Sequence, residues 1–580
     1  MLYSVVSEKV KFTWQALGGL NRIGMNTMAF HFQDFSIGID SGVMFSDPNN
    51  FGVESVFVDY KKVFENNNFP FWLITHAHED HIGSVGAIFS ICDQLGIDPP
   101  KIIAPSYAFE LIKDKLTDTF AFKNSSKYLD HVILMDFANE WYEINSELRI
   151  KYFPVRHSVV DSFGIALEYK KLDKTLEIVH SSDFKIDRSN YIDGVIDENS
   201  FKVFDQPDFL FMDSTNSINS KWVDSELSVV ENIKELISTR SNRLLFTMFS
   251  SNLFRLASLI NIAQENNRKV AIVGRSMQRA FKIAKAQGYF GTTIPLVDYK
   301  NVISIEDIIG LPKNEQLIIC SGTQGEPGST LWKLSREMHH RFKLQPGDEI
   351  LFSSRLIPGN ERKVFALLND LARINIKVTL DGDCLKPIHA SGHASGKEIE
   401  TVVKLVKPKN FIPVHGELRH LIANKEIALN CGVDKNNIFV VENGTSLVFE
   451  ANSNKWTFKE LLADPFPEVL LKFRKFFVSS RSSFIKKRKS LALNGCVLIT
   501  LDFQKNIKID TVAIMPDDDP LKKELHDFLN TTVSLLSSEV SFNTHLSETQ
   551  VEKLLSKVKQ FLKRNFRIKP HVSINQVTKL

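Results

Sequence analysis

Residues 73–83, LITHAHEDHIG, place three histidines and two acids within six positions: His76, His78, Glu79, Asp80 and His81. Histidine is the commonest metal ligand, and carboxylates bind hard cations. Alternate residues of an extended backbone project the same way, so His76 and His78 point together, while Asp80 and His81 face a neighbouring position. The spacing predicts two metal ions side by side, with further ligands supplied from elsewhere in the chain.

Four other apolar runs end in residues that could supply those ligands. They deliver Asp40 in IGIDSG, His157 in FPVRHS, Asp183 in HSSDFK and His415 in PVHGE. A single Asp at a strand end is more often a turn former or a helix cap, and a single His is more often a satisfied polar group. Four of them at strand ends, where sheet-based enzymes place their chemistry, together predict one site.

The composition is that of a globular protein of several domains. A chain of 580 residues predicts three or four domains of ordinary size. No apolar run approaches the roughly 18 residues of a membrane span, and the first residues lack a signal-peptide pattern. The five cysteines are scattered and contain no C-x-x-C, which is typical of a reducing compartment. These features predict a cytoplasmic protein without a membrane partner.

The secondary-structure pattern changes twice along the chain. Short strands and strand-plus-polar-end runs occupy the first 214 residues, and the same style returns after VTLDGD. Between them, from about 220 to 380, helices and strands alternate as in a parallel α/β unit. One domain is therefore predicted to be inserted into another. Residues 490–580 predict two strands, two helices and a last strand, which is a small α+β domain.

The C-terminal part carries an excess of positive charge. Residues 451–580 contain 22 Lys or Arg against 13 Asp or Glu, although the whole chain carries only +3. Within it, residues 471–489 hold eight basic residues and no acid, interleaved with Phe. This stretch could bind polyanions, or it could be a solvated helix face whose aliphatic stems cover apolar neighbours.

Seven motifs resemble those of the β-CASP nucleases, and among them the ribonuclease J family: GGLNRIGMN, THAHEDHIG, DSTN, CSGTQGEP, IPGNE, HASGH and PVHGE. The resemblance covers nearly the whole chain. It implies an α/β fold: a metallo-β-lactamase αββα sandwich with an inserted β-CASP α/β domain and a small C-terminal α+β domain. The implied boundaries are 1–214 and 379–451 for the two parts of the metallo-β-lactamase domain, 215–378 for the β-CASP domain, 452–485 for a linker and 486–580 for the C-terminal domain.

The resemblance also implies a ligand set and catalytic roles. His76, His78 and His157 would hold one metal, Asp80, His81 and His415 the second, with Asp183 bridging both and Asp40 orienting ligand histidines. The catalytic residues would be Asp80, Asp183, His393 and Asp213, with His393 serving the leaving oxygen and Asp213 orienting it. Two divalent ions per chain are expected, Zn²⁺ first, with Mn²⁺ or Mg²⁺ compatible.

The implied substrate is single-stranded RNA, including mRNA and rRNA precursors. Its phosphates would meet Ser251, Asn252, His389, Ala390, Ser391, Gly392 and His393. The implied activities are endonuclease and 5′→3′ exonuclease cleavage in mRNA decay and rRNA maturation, by a homodimer or homotetramer that a paralogous subunit could join. Three alternatives stay open: a weakly active or structural paralogue within a heteromeric RNA-decay complex, a small-molecule hydrolase of the same fold, and a DNA-processing β-CASP enzyme.

Overall fold

The computed structural model describes most of the chain. The described residues are 10–45, 52–65, 67–117, 125–191, 194–357, 359–452, 455–464, 469–473, 476–501, 507–512, 521–538, 548–566 and 570–576. They fall into two compact units. The first contains the described residues up to 45, from 55 to 469, and 476, and the second contains 52–54, 470–473 and those from 477 onwards.

Two sheets form the centre of the first unit. One has eight strands, in the spatial order Lys455–Ala463, Thr445–Asn452, Lys11–Gly18, Thr27–His31, Ser36–Ile39, Phe71–Leu73, Lys101–Ala104 and Val132–Leu134. The other has six, in the order Asn410–Val414, Phe209–Asp213, Lys174–His180, Phe163–Lys171, Leu148–Pro154 and Trp141–Glu143. Two short antiparallel pairs accompany them: Met44–Phe45 with Ser55–Val58, and Asp187–Tyr191 with Gly194–Ile196.

The core between the sheets follows from alternation along the strands. In Lys11–Gly18 every second residue is buried, which directs Phe12, Trp14 and Ala16 inwards. These rings meet aromatic residues of the facing sheet: the Phe12 and Phe209 ring centroids are 5.4 Å apart. The sheets are therefore joined by interdigitated aromatic side chains rather than by polar contacts.

Helices cover both outer faces of the two sheets. Gly396–Val406 and Leu418–Asn430 pack on the six-stranded sheet through residues such as Val402 and Ala428. Tyr60–Phe64, Val85–Leu95 and Ser106–Thr117 lie on the side of the eight-stranded sheet, and Glu79–Ile82 forms one short turn between the first and second of these helices. The helix–sheet–sheet–helix order confirms the predicted αββα sandwich.

A third sheet lies in the chain between two neighbouring strands of this sandwich. Phe209–Asp213 and Asn410–Val414 pair in parallel, and the residues between them contain a five-stranded parallel sheet. Its spatial order is Lys269–Val273, Gln316–Cys320, Leu244–Thr247, Glu349–Phe352 and Lys377–Leu380. Its helices are Glu226–Ser238, Leu253–Glu265, Arg275–Ala286, Ile305–Ile308, Thr330–Ser335 and Glu361–Arg373. The predicted insertion is confirmed, and its last strand runs to Leu380, past the predicted boundary at 378.

The predicted linker, 452–485, differs from the structure. Lys455–Ala463 is a strand that pairs with Thr445–Asn452 and extends the eight-stranded sheet, and Trp456 is buried and donates its indole N–H to the Thr175 carbonyl at 3.0 Å. Sequence periodicity missed this edge strand because much of it faces solvent. Val469–Phe473, Phe476–Ser479 and the start of helix Ser483–Asn494 also fall within the predicted linker, whereas residues 453–454, 465–468 and 474–475 lie outside the described residues.

The second unit has its own small sheet. Cys496–Leu501 pairs antiparallel with Ile507–Val512 and parallel with His571–Gln576. Helices Leu521–Ser538 and Glu548–Phe566 lie between these strands in the chain, as the sequence predicted. In helix Ser483–Asn494, the Arg488 guanidinium lies 5.1 Å from the centroid of the Phe473 ring. Among all described residues, no helix combines the length and the apolar composition that a membrane crossing requires.

Gly38→Ala should destabilise the sandwich beneath the site. Gly38 lies in strand Ser36–Ile39, and a Cβ there would lie 2.2 Å from the ring of the fully buried Trp72. Overpacking of this kind costs about 1–3 kcal/mol, so we expect a lower midpoint of thermal unfolding. Gly382→Ala is the control, because a Cβ at Gly382 meets nothing within 4 Å. Equal midpoints for the two variants would contradict the tight packing.

Candidate dinuclear metal centre

The strand ends of the sandwich bring the predicted site residues together. Asp40 follows strand Ser36–Ile39, His157 follows Leu148–Pro154, and Asp183 follows Lys174–His180. Three residues at these ends, Asp40, Ser182 and His415, adopt the left-handed region, with φ of 58°, 58° and 52°. Non-glycine residues in this region carry strain, and such strain is concentrated at functional sites.

The first group of possible ligands consists of three imidazoles and Asp183. Their ligand atoms lie within 4.8 Å of one another. The Nδ1 atom of His78 is 3.2 Å from Nε2 of His76 and 3.0 Å from Nε2 of His157. All four residues of this group are buried or half-buried, so bulk water does not separate these nitrogens.

The outer nitrogens of these rings fix where the protons are. His157 donates from Nδ1 to the Gly392 carbonyl at 2.5 Å, which leaves a lone pair on its Nε2. The Thr75 hydroxyl donates to Asp40, so it accepts from Nδ1 of His76, and Nε2 of His76 also carries a lone pair. Both lone pairs face Nδ1 of His78, which carries at most one proton and so can satisfy only one of them, whereas a cation between the three rings would satisfy both. The residues present therefore fit a bound metal ion.

The second group shares Asp183 with the first. It contains Asp80, His81, Asp183 and His415. His81 donates from Nδ1 to Asp40 at 2.7 Å, while the Asn26 amide nitrogen lies 3.0 Å from Nε2 of His81. Nε2 of His415 is buried and has no hydrogen-bond partner among the described residues, although it lies 3.3 Å from the Asp183 carboxylate. An orphaned imidazole nitrogen beside two carboxylates also fits a metal ion.

Burial and charge shift the pKa values of the histidines in opposite directions in the two groups. Burial lowers the pKa of His76 and His157 well below the ordinary value and that of His78 to about 4, so these rings are neutral near pH 7. Burial also opposes the charged form of His81 and His415, but Asp183 outweighs it and raises both pKa values, that of His415 to about 10. The first group thus offers neutral nitrogens, whereas in the second the carboxylates favour protonated imidazoles.

His393 and Asp213 lie beside these groups. Nδ1 of His393 is 2.9 Å from Asp213 and 3.9 Å from Asp183, and its side chain is 22% exposed. Burial lowers the pKa of His393, but Asp213 and Asp183 outweigh it and raise the pKa above its usual value. His393 is thus a partly exposed histidine of the site, oriented by Asp213 and able to reach a bound molecule.

The residues predicted to contact RNA divide into two sets. Ser251 lies at the metal cluster, because its hydroxyl is 2.9 Å from Nε2 of His78. Gly392 is also at the cluster, since a Cβ there would lie 2.9 Å from Cε1 of His157. Asn252 instead caps helix Leu253–Glu265 through its side chain, and the buried His389 side chain lies 3.3 Å from Nη1 of Arg255. Ala390 is buried, and Ser391 accepts from the His393 N–H at 3.1 Å.

Sequence reasoning gave no role to several residues that hold the site. Three of them form hydrogen bonds with proposed ligands: Thr75 with His76, Thr215 with His415, and Asn26 with Asp80. Arg255, which is 1% exposed, forms a bidentate pair with Glu226 and links helix Leu253–Glu265 to the 389–393 loop. The first three lie inside quoted motifs, which was a usable signal, whereas nothing in the sequence singles out Arg255 or Glu226.

The chain resembles known proteins along most of its length. A family model described as "Ribonuclease J, beta-CASP domain" matches residues 241–371, and one described as "Zn-dependent metallo-hydrolase RNA specificity domain" matches 384–433. The chain is 27% identical over 576 residues to Ribonuclease J of Mycoplasma genitalium, covering 96% of both. It is 32% identical over 445 residues to Ribonuclease J 1 of Streptococcus pyogenes serotype M3, covering 76% of this chain and 74% of that one.

A solved structure supports the fold alone. A protein of unknown function from Enterococcus faecalis V583 superimposes with a TM-score of 0.51 at 15% identity, covering 76% of this chain and all of the other. The sandwich, the inserted sheet and the histidine–carboxylate cluster define a metal-dependent hydrolase of the metallo-β-lactamase fold with a β-CASP insertion. Within that class the chain belongs to the ribonuclease J family, and it is a ribonuclease.

Asp40→Asn should weaken metal binding without removing a proposed ligand. The Asn amide would face Nδ1–H of His81 with a donor in place of an acceptor, so the ring would have to move its proton to the inner nitrogen. Losing such an outer partner typically costs about 10–100-fold in metal affinity. Chelator competition would measure it, with Asp34→Asn as control because Asp34 pairs with Lys171 and is 62% exposed. Equal affinities for the two variants would exclude this role of Asp40.

Proposed function

We propose that the chain cleaves single-stranded RNA with two divalent cations, as an endonuclease and a 5′→3′ exonuclease in mRNA decay and rRNA maturation. The observation that carries the proposal is a pair of ligand groups that share Asp183, with His393 beside them. Histidine and carboxylate groups without cysteine suit Zn²⁺, and Mn²⁺ or Mg²⁺ is compatible.

The proposal assigns each group one ion. His76, His78 and His157 would hold the first, Asp80, His81 and His415 the second, and Asp183 would contact both. Two such cations, when bound, lower the pKa of a water and stabilise charge on the attacking and leaving oxygens of a phosphodiester. The surrounding protein atoms orient the ligand rings: Asp40 accepts a hydrogen bond from His81, and the Gly392 carbonyl accepts one from His157.

His393 supplies the proton that the leaving 3′-oxygen needs. Its Nδ1 is held by Asp213 at 2.9 Å, which leaves Nε2 to face a bound molecule. Asp213 is 2% exposed, and its backbone and side chain are fixed by Ser181 and Thr215, so the pair is rigid before RNA arrives. A positioned acid of this kind contributes about 10²–10⁴-fold to a rate.

The 389–393 loop offers donors for an RNA phosphate. The backbone N–H groups of Ala390, Ser391 and Gly392 have no acceptor among the described residues. Successive free N–H groups form an anion-binding concavity, and the Ser251 hydroxyl lies across the cluster at His78. A terminal 5′-phosphate would fit these donors, which supports cleavage from the 5′ end.

The proposed partners are RNA and further copies of the chain. The positive charge of residues 451–580 favours RNA affinity, and among the described residues the possible ligand groups all lie outside that segment. We infer a homodimer or homotetramer, which a paralogous subunit could join, and sedimentation of the full chain measures this state.

His393→Ala and Asp183→Ala should separate chemistry from metal binding. His393→Ala should keep both ions and cleave about 10²–10⁴-fold more slowly, because it removes only the proton donor. Asp183→Ala should lose both metal content and cleavage, since Asp183 belongs to both groups. Elemental analysis and single-turnover cleavage of labelled RNA give the two readouts. Metal-free active protein would overturn the proposal, and loss of metal in His393→Ala would reassign that residue.

Degradation should start faster on monophosphorylated than on triphosphorylated RNA. The proposed pocket at the 389–393 loop accepts one phosphate, so the two further phosphates of a triphosphorylated end would have to be excluded or distorted. A 5′-hydroxyl end would leave the donors of the pocket unpaired, at a cost of about 1–3 kcal/mol each. Time courses on oligomers labelled at either end should show mononucleotides released from the 5′ end. Equal rates on the two 5′ ends would reject the phosphate pocket but leave the metal site standing.

A further inference from the structure

A second cavity lies outside the ends of the inserted sheet. Its volume is about 910 Å³, and it opens at the carboxyl ends of strands Leu244–Thr247, Lys269–Val273 and Gln316–Cys320. Its walls come from the loops that follow these strands and from residues 339–341. Ligands of parallel α/β sheets bind in the crevice outside the carboxyl ends of the strands. None of the proposed metal ligands lines this cavity.

Two glycines let the backbone approach hydroxyl groups closely in this wall. Gly274 and Gly322 have φ of +111° and +118°. A Cβ on Gly274 would lie 2.6 Å from Oγ1 of Thr330, and one on Gly322 would lie 2.6 Å from Oγ of Ser329. Backbone and hydroxyl groups thus form a concave wall, and any side chain at either glycine position would clash with these hydroxyl groups.

Two threonines with unpaired hydroxyl groups line the same cavity. Thr323 and Thr330 are only 1% and 7% exposed as residues, and among the described residues neither hydroxyl has a hydrogen-bond partner, while both hydroxyl oxygens remain accessible from the cavity. Helix Arg275–Ala286 begins here at Gly274 without a side-chain cap, so its first N–H groups are also free of side-chain acceptors. These donors face the same cavity, and together they fit an anion with several oxygens.

The charges of the lining have the sign that such an anion needs. The lining contains four basic residues and one acid, Glu326; the basic residues are Arg275, Arg279, Lys333 and Arg341. Burial raises the pKa of the Glu326 carboxyl, which favours its neutral form. Arg279 and Arg341 pair with Asp114 and Glu306. In the part of the chain that the structure describes, Arg275 and Lys333 have no carboxylate within ion-pair distance. Two cations are therefore available to a ligand.

Aromatic surfaces complete the lining. Phe45 is 69% exposed at the cavity, Phe249 lies in the opposite loop, and the rings of His339 and His340 stack with centroids 5.4 Å apart. Flat rings beside arginine and lysine suit a nucleobase next to its phosphates.

We propose that this cavity binds a nucleotide through its phosphates, at a site separate from the metal cluster. Arg275, Lys333, Thr323 and the start of helix Arg275–Ala286 contact the phosphate oxygens. The nucleotide is either a free nucleoside phosphate or one unit of an RNA chain, since both present the same groups. The cavity wall includes Ser250, the neighbour of Ser251 at His78, so occupancy lies next to the reaction site.

Titration calorimetry of the full-length, metal-loaded protein tests the proposal. The probes are ADP and a single-stranded oligonucleotide with cleavage-resistant phosphorothioate linkages. The double variant Arg275→Gln/Lys333→Gln should bind at least one probe about tenfold or more weakly than wild type, because each change removes a charge-assisted contact to phosphate. The control is Lys234→Gln, which removes an exposed lysine of the same sheet region that pairs with Glu265.

The two probes identify the source of the phosphate. Weaker ADP binding in the double variant assigns the cavity to free nucleotides, and weaker oligonucleotide binding alone assigns it to RNA. Thr323→Val gives a second reading without a charge change, and it should weaken the same probe by several-fold. Affinities for both probes that match those of Lys234→Gln would overturn the proposal. Because ADP binding is measured without cleavage, failure here is distinct from failure of the proposed ribonuclease mechanism.

Discussion

One buried carboxylate oxygen organises the site. Oδ2 of Asp183 lies between 3.1 and 3.9 Å from nitrogens of His81, His415, His76, His157 and His393. Burial opposes the charged form of Asp183, but His415, His81 and His393 outweigh it and hold the pKa of Asp183 well below the ordinary value. Every chain segment that carries a site histidine must therefore converge on this atom, and the rest of the fold serves that convergence.

The sandwich achieves the convergence with strand ends rather than with one long loop. Parallel pairing of Lys174–His180, Phe209–Asp213 and Asn410–Val414 aligns Asp183, Asp213 and His415 at one edge. The turns are then tight enough that Asp40, Ser182 and His415 take the left-handed backbone region. The aromatic packing beneath supplies the stability that holds such turns in place.

Sequence patterns predicted the fold and the 76–81 part of the cluster from local signals, whereas the roles of the distant residues His157, Asp183 and His415 were implied by the family resemblance. Alternation in Lys11–Gly18 and the His-x-His-x-Asp-His spacing are readable from neighbouring residues. Edge strand Lys455–Ala463 was missed because exposure of much of its length weakens the alternation. Asn252 and His389 were expected to meet RNA, yet a helix cap and a buried contact with Arg255 engage their side chains. Such partners are distant in the chain, and one sequence does not show which residues meet.

The hydrogen bond between Ser251 and His78 joins the β-CASP segment to the proposed metal cluster. Its acceptor and donor belong to different parts of the chain, separated by 173 positions. Any movement of the β-CASP segment that stretches this bond also loosens the ring that faces His76 and His157. For the proposed metal cluster, thermodynamic linkage would make the effect mutual: binding of RNA that holds the segment firmly in place would tighten metal binding, and bound metal would favour that position of the segment by the same factor. Under the proposed mechanism, RNA binding and metal binding would therefore report on the same conformational equilibrium.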